Sequence, residues 1–303
     1  MQRVEANCDF RALARQALEK CLKRTLSGRI HLHIPASQGP LRPTPGKHFH
    51  LMPELFLQLA GVNNFELPNE RFRLLPGELC IIPRGMPHNE TVQLRQGCFA
   101  MFVFQYVDIH GLQFIFSGGK QGQHPYPIKY ITISYPRIIR TAEYLEDIIQ
   151  ISQAGRRRNV KIGRWLLSAH LAELMTILET APVERRGDSE PFKITRAKQI
   201  VANNANDPKL NVHKLEEMMH CSADYLSHLF HSRTGVTLNG YINHYRISQA
   251  RYLLQNTTMN IKEIAYTVGF VDPDYFSRLF RAMTGQPPGR YRRLFLSPAV
   301  SMK

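Results

Sequence analysis

Between Tyr275 and Arg293 the chain carries five arginines, Arg278, Arg281, Arg290, Arg292 and Arg293, and no acidic residue. A guanidinium can bond O6 and N7 of guanine together, and uncompensated arginines neutralise phosphates with release of counterions. The chemistry of this stretch is therefore that of nucleic-acid recognition. A base-reading residue must stand on a rigid element, and Arg278 does. Phe276, Leu279 and Phe280 recur at helical spacing, which leaves Asp274, Ser277, Arg278 and Arg281 on the opposite side. Two plainer roles for Arg278 stay open, a phosphate contact and an ion pair with Asp274 four residues earlier.

The element that holds Arg278 is written twice. Tyr275-Phe276-Ser277-Arg278-Leu279-Phe280 with Thr284-Gly285 repeats Tyr225-Leu226-Ser227-His228-Leu229-Phe230 with Thr234-Gly235, 50 residues earlier. In the second copy Asn260 and Glu263 form a capping box, and Ile261, Ile264, Ala265 and Val268 follow at helical steps. The spacing predicts a helix over about 261–268, a stop at Gly269, and a second helix from about 273 behind Asp272-Pro273. The first copy repeats the plan with Asn211, a turn through His220 and Cys221, and Ser222 as cap. Its outward set is Asp224, Ser227, His228 and His231. Between the copies, Leu238 to Gln255 reads as a connecting helix. Each copy is a helix-turn-helix unit, the arrangement that places a helix in a DNA groove.

Residues from about 193 to 293 resemble the DNA-binding domain of the AraC/XylS family of transcription regulators. The string Ile261-x2-Ile264-Ala265-x3-Gly269-Phe270-x-Asp272-x2-Tyr275-Phe276-x-Arg278-x-Phe280-x4-Gly285-x2-Pro288-x2-Tyr291-Arg292 is close to the family signature. Arg246, Ala250 and Leu254 fall where the family has its linker-helix pattern. The resemblance implies that the second helix of each copy enters successive major-groove segments. The base readers would be Asp224, Ser227 and His228 in the first copy and Asp274, Ser277 and Arg278 in the second. His231, Arg281, Arg290, Arg292 and Arg293 complete the DNA-binding set. The first copy departs from the pattern at Glu216, where Ala is usual, and at His228, where Arg is frequent.

The first half reads as short strands between turn signals, Ile30–Ile34, Glu54–Leu59, Leu79–Ile82 and Phe99–Val107, which predicts a small β-barrel or sandwich. His48-x-His50-x3-Glu54-x6-Gly61, then Gly77-x5-Pro83-x-Gly85-x2-His88, resemble the paired motifs of the cupin barrel. Arg42 stands for the leading Gly of the motif and Val92 for the closing Asn. In metal-binding cupins the positions of His48, His50, Glu54 and His88 are ligands, so the resemblance implies either a divalent transition metal or an organic effector there. Residues 48, 50 and 54 share strand parity, and Pro53 can bend that strand. Ahead of the strands, Phe10, Leu13, Ala14, Ala17, Leu18, Cys21 and Leu22 make one apolar helical stripe. It packs on the barrel or a partner, or lies on a membrane surface.

The chain has 303 residues, a net charge of +15 and 43% hydrophobic residues, enough for two domains. The basic balance favours nucleic acid over acidic small substrates. Five cysteines without CxxC spacing fit neither a disulfide scaffold nor a zinc finger and point to a reducing cytosol. No export or membrane segment is expected. The expected organisation is a cupin-like β-barrel sensing domain over 1–135 with its N-terminal helix, and a helical hairpin over 136–182. A linker over 183–192 leads to an all-α domain with two helix-turn-helix units over 193–303. The hairpin either pairs two chains or covers the barrel. The expected protein is a cytoplasmic transcription regulator and not an enzyme. It is an activator bound to double-stranded promoter DNA as a homodimer, with RNA polymerase as a partner by resemblance and a small-molecule effector. The alternative is a metal-dependent cupin enzyme fused to a DNA-binding domain.

Overall fold

The computed structural model describes residues 10–36, 48–106, 111–134, 138–154, 157–180 and 190–295. They form two compact units, residues 1–38 with 52–186, and residues 39–51 with 187–303.

The first unit opens with α1 (Phe10–Leu26) and continues through β1 (Leu32–His33), β2 (Glu54–Ala60), β3 (Val62–Glu66), β4 (Arg71–Leu74), β5 (Leu79–Ile82), β6 (Asn89–Gln93), β7 (Ala100–Tyr106), β8 (Gly111–Gly118) and β9 (Tyr126–Ser134). It ends in α2 (Ile138–Gln153) and α3 (Arg157–Thr180). One sheet runs β1-β5-β2-β7-β8-β9 and a second runs β4-β3-β6. Strands β2 and β7 are apolar on both faces because both faces are covered. Leu55, Leu57, Phe102 and Phe104 meet Ala14, Leu18, Leu145 and Leu171 of the helices. Phe56, Met101 and Val103 meet Phe65, Leu74 and Val92 of the small sheet. The result is three layers, helices on a large sheet on a small sheet.

The expected barrel is corrected to this open arrangement. β1 and β9 each pair on one side only, as do β4 and β6, so no closed barrel exists among the described residues. The strand expected over 30–34 shrinks to Leu32–His33, paired in parallel with β5. Gly61, between β2 and β3, has φ +71, and a Cβ there would stand 2.5 Å from the Cys98 carbonyl oxygen. That contact and the left-handed backbone require glycine at the turn from the large sheet to the small one. The stripe of α1 is buried in the helical layer, with Ala14 and Leu18 at 0% exposure, so its apolar face is spent on the unit's own core.

The second unit holds α4 (Glu190–Asn204), α5 (Val212–Met219), α6 (Ala223–Thr234), α7 (Leu238–Asn256), α8 (Ile261–Thr267), α9 (Pro273–Thr284) and α10 (Pro288–Phe295). Helix α7 serves two cores. Leu238 and Ile242 pack with Ile200, Leu215, Leu226 and Phe230. Ile247, Ala250, Leu253 and Leu254 pack with Ile264, Phe276, Phe280 and Tyr291. Phe49 is buried in this second core, and its carbonyl accepts from Gln249 Nε2 at 3.1 Å, so residues 48–51 belong with the C-terminal unit rather than with the strands that follow them. Most of the expected linker lies in 181–189, outside the described residues. No described helix is long and apolar enough to cross a membrane.

Candidate nucleic-acid interface and a buried acidic cluster

Local chemistry sets both helix-turn-helix units. Asn260 Oδ1 accepts from the Glu263 N–H at 2.8 Å while Glu263 Oε2 accepts from the Asn260 N–H at 2.8 Å, so the capping box starts α8. Asp272 Oδ1 accepts from the Asp274 N–H at 2.8 Å and Pro273 takes the first turn of α9. In the first unit Asn211 and Ser222 cap α5 and α6 through the Lys214 and Tyr225 N–H groups. The turns differ: Gly269 carries φ +92, whereas His220 is held at φ 53, ψ 43.

Arg246 stitches the two halves together. Its Nε donates to Ala205 O at 2.8 Å, and its Nη2 donates to Asp207 O at 2.8 Å and Leu210 O at 3.4 Å. The guanidinium also lies over the Phe270 ring at 5.6 Å. Burial lowers its pKa from the ordinary value, and Asp207 offsets part of that. A Cβ on Gly269 would approach Ala205 O to 2.3 Å and Arg246 Nε to 3.0 Å, so the turn of the second unit is shaped to this junction.

The outward residues are where the sequence places them. Asp224, His228, His231, Asp274, Arg278, Arg281, Arg290 and Arg293 are exposed, while Ser227 and Ser277 are half-buried at the edge of each face. Ser277 Oγ donates back to Pro273 O at 2.9 Å. No ion pair joins Arg278 to Asp274, so the competing intrahelical role is not realised. Arg292 is partly buried, its guanidinium donates to the Met259 carbonyl, and burial lowers its pKa. Tyr291 anchors α10, with its hydroxyl accepting from Arg251 Nε at 3.0 Å and Gln255 Nε2 at 2.9 Å.

His48 and His50, with ring centroids 5.1 Å apart, sit on the segment that belongs to the C-terminal unit. Glu54 and His88 are buried together inside the first unit, with His88 Nε2 3.3 Å from Glu54 Oε2 and 3.5 Å from Glu90 Oε1. Gln105 Nε2 donates to the other Glu54 oxygen at 2.9 Å. Burial opposes the imidazolium of His88, yet Glu54, Glu90 and the Met86 carbonyl outweigh it and raise the pKa. Burial likewise raises Glu90, against the pull of His124 and His88. Glu90 and Gln105 were not singled out from sequence. The parity of Glu90 with His88 was the available signal.

A family model described as a helix-turn-helix domain matches residues 215–294. The helix-turn-helix-type transcriptional regulator YijO of Escherichia coli (strain K12), itself uncharacterised, is 42% identical over 27% of this chain and 29% of its own length. The arabinose operon regulatory protein of Salmonella typhimurium is 30% identical over 52% of this chain and 56% of its own. The chain thus spans little more than half of one curated relative and under a third of the other. A solved transcriptional regulator from Chromobacterium violaceum with an AraC-type DNA-binding domain is 26% identical, covers 36% of this chain and 96% of its own, and has a TM-score of 0.33. The C-terminal part of this chain is an AraC-type helix-turn-helix domain.

Proposed function

We propose that the protein is a sequence-specific transcription regulator that binds promoter DNA and activates transcription through RNA polymerase. The observation that carries this reading is the pair of capped helices α6 and α9, each with an outward polar face, joined through one spine. Asp224, Ser227, His228, Asp274, Ser277 and Arg278 are the base readers in this reading. His231, Arg281, Arg290 and Arg293 hold phosphates. Arg292, bound to Met259 O, supports α10 and adds its charge from there.

The first unit is the sensing half in this proposal, and two copies pair through the α2–α3 hairpin. No reaction is assigned to it. Its buried Glu54, His88, Glu90 and Gln105 supply two carboxylates, an imidazole and an amide, a set that suits a ligand rich in hydroxyl or amine donors. The same imidazole and carboxylates are donors a divalent transition metal accepts, which keeps a metal as the alternative occupant. Effector binding acts by favouring one of two arrangements of the protein. Selection of bound sites from random duplex DNA tests the DNA reading. A salt-sensitive complex with a defined site supports it, and binding without sequence preference removes it. Elemental analysis of the purified protein separates metal from organic effector.

A further inference from the structure

Helices α1 and α3 run antiparallel, and their charges are sorted by end. At one end Arg15 of α1 pairs with Glu19 at 2.9 Å and with Glu179 of α3 at 3.1 Å. At the other end Arg24 Nη1 donates to Gly77 O at 2.8 Å, Arg29 Nε donates to Ser27 Oγ at 3.1 Å, and a Cβ on Gly28 would stand 2.4 Å from Arg164 Nη1. Three guanidinium groups thus converge on the turn that ends α1. Lys20 and Lys23 on the last turns of α1, and Lys161 three residues before Arg164, are exposed around them. Among the described residues none of these six cations forms an ion pair with a carboxylate. Glu78, beside Gly77, is committed elsewhere, since Oε2 accepts from the Leu75 N–H at 2.8 Å and Oε1 lies 3.3 Å from His31 Nδ1.

Folding alone does not account for this patch. Cations suit the C-terminal end of a helix, which explains Lys23 and Arg24 in the last turn of α1. The same rule disfavours them at the start of α3, whose first turn holds Arg157 and Arg158 and no acid. Lys20 and Arg24, four residues apart on one helix face, repel each other. Residues 20–53 and 151–172 contain no Asp or Glu, so neither segment carries its own counter-charge. A polyanion relieves such repulsion and gains by releasing its counterions. Duplex DNA is the polyanion this chain meets, because its helix-turn-helix domain, once bound, raises the effective concentration of DNA phosphates around the rest of the chain.

We propose that the basic end of the α1–α3 pair contacts backbone phosphates of duplex DNA outside the site read by α6 and α9, without reading bases. This rests on the DNA-binding reading given above and adds to it a second, sequence-independent contact surface in the first unit.

The test uses the full chain and two duplexes that share one selected site. The short duplex ends at the edges of the site, and the long one adds about 20 base pairs of unrelated sequence, with their phosphates, on each side. Affinity is measured across a salt series. The slope of log affinity against log salt is expected to be steeper on the long duplex by about two to three contacts of −0.9 each. Lys20→Gln, Lys23→Gln and Lys161→Gln together return it to the short-duplex value and leave short-duplex affinity within about twofold. Circular dichroism checks that these exposed substitutions leave the fold intact. Equal slopes on the two duplexes for the parent overturn the proposal, and binding of the parent but not the triple variant to vesicles containing phosphatidylserine would then assign the patch to a lipid surface. A steeper slope on the long duplex that the triple variant retains overturns the assignment to these residues. Failure to form a salt-sensitive complex with either duplex is a separate result, which removes the DNA reading and this proposal with it.

Discussion

Arg246 and His170 are two buried basic side chains with opposite logic. The guanidinium of Arg246 is charged and satisfied, since three backbone carbonyls from the α4–α5 loop accept from it. Replacing it by Met, of comparable length, leaves those carbonyls in the interior without their donor. A loss of about 2–4 kcal/mol is expected, read as a lower denaturation midpoint of the C-terminal unit. An unchanged midpoint would show that water replaces the guanidinium at no cost. His170, by contrast, is kept neutral. It is fully buried on α3 beside Tyr144, and desolvation pushes its pKa down to about 3, with the Thr141 backbone offsetting only part. The unfolded chain takes up a proton on this residue near its ordinary pKa, whereas the folded chain does not. Stability from His170 is therefore complete above the unfolded pKa of about 6.5 and falls as pH drops towards 3, by about 1.4 kcal/mol per pH unit. Urea titrations of the parent and His170→Leu at several pH values between these limits measure it. The variant is expected to lose this acid slope, and equal slopes in both proteins would sink the idea.

At the scale of elements, the two helix-turn-helix units solve one turn with different residues. The first uses His220 at φ 53, where an L side chain crowds the following carbonyl at a cost of about 1–2 kcal/mol. The second uses Gly269, which pays no such strain. His220→Gly is expected to stabilise the protein by about 1 kcal/mol, while Gly269→Ala destabilises it, because a Cβ there meets Ala205 O at 2.3 Å. Thermal unfolding of both variants decides this, and a loss on His220→Gly would mean the imidazole makes contacts that outweigh the strain. The same units show what was legible in sequence. Asn211, Ser222, Asn260, Asp272, Gly235 and Gly285 act on backbone groups a few residues away, so helix ends in this half could be read closely. Strands β3 and β6 could not. Asn63, Asn64, Asn89 and Thr91 interrupt the apolar alternation, and these strands exist because they pair with each other across some 30 residues of chain. The placement of Phe49 was illegible for the same reason, since its partner Gln249 is 200 residues away. Glu54 and His88 were found from their motifs, but their meeting with Glu90 and Gln105 is a product of the packed sheets.

For the whole molecule, the net charge of +15 is less telling than where its cations can reach a polyanion. Residues 190–303 hold 15 Lys and Arg against 8 Asp and Glu. Some of these cations are already committed, such as Arg246 to the loop carbonyls, Arg292 to Met259 O, and Lys214 to Glu217 at 2.7 Å. Arg278, Arg281 and Arg290 stay on the exposed side of α9 and α10, and the side chain of Arg293, whatever it touches, is also exposed. Their roles separate in the salt dependence of DNA affinity. Each phosphate contact contributes about −0.9 to the slope of log affinity against log salt. Arg281→Ala, Arg290→Ala and Arg293→Ala are each expected to flatten that slope by about one contact and leave base preference alone. Arg278→Ala is expected to cost about 1–3 kcal/mol at one base pair and to relax preference there. Arg292→Ala lowers the unfolding temperature and leaves the slope nearly unchanged, because its charge supports the protein before it meets any phosphate. Affinities measured across a salt series on one selected site, for the parent and these five variants, decide the assignment. A slope unmoved by Arg281→Ala, Arg290→Ala and Arg293→Ala together would place the DNA on another face of the protein.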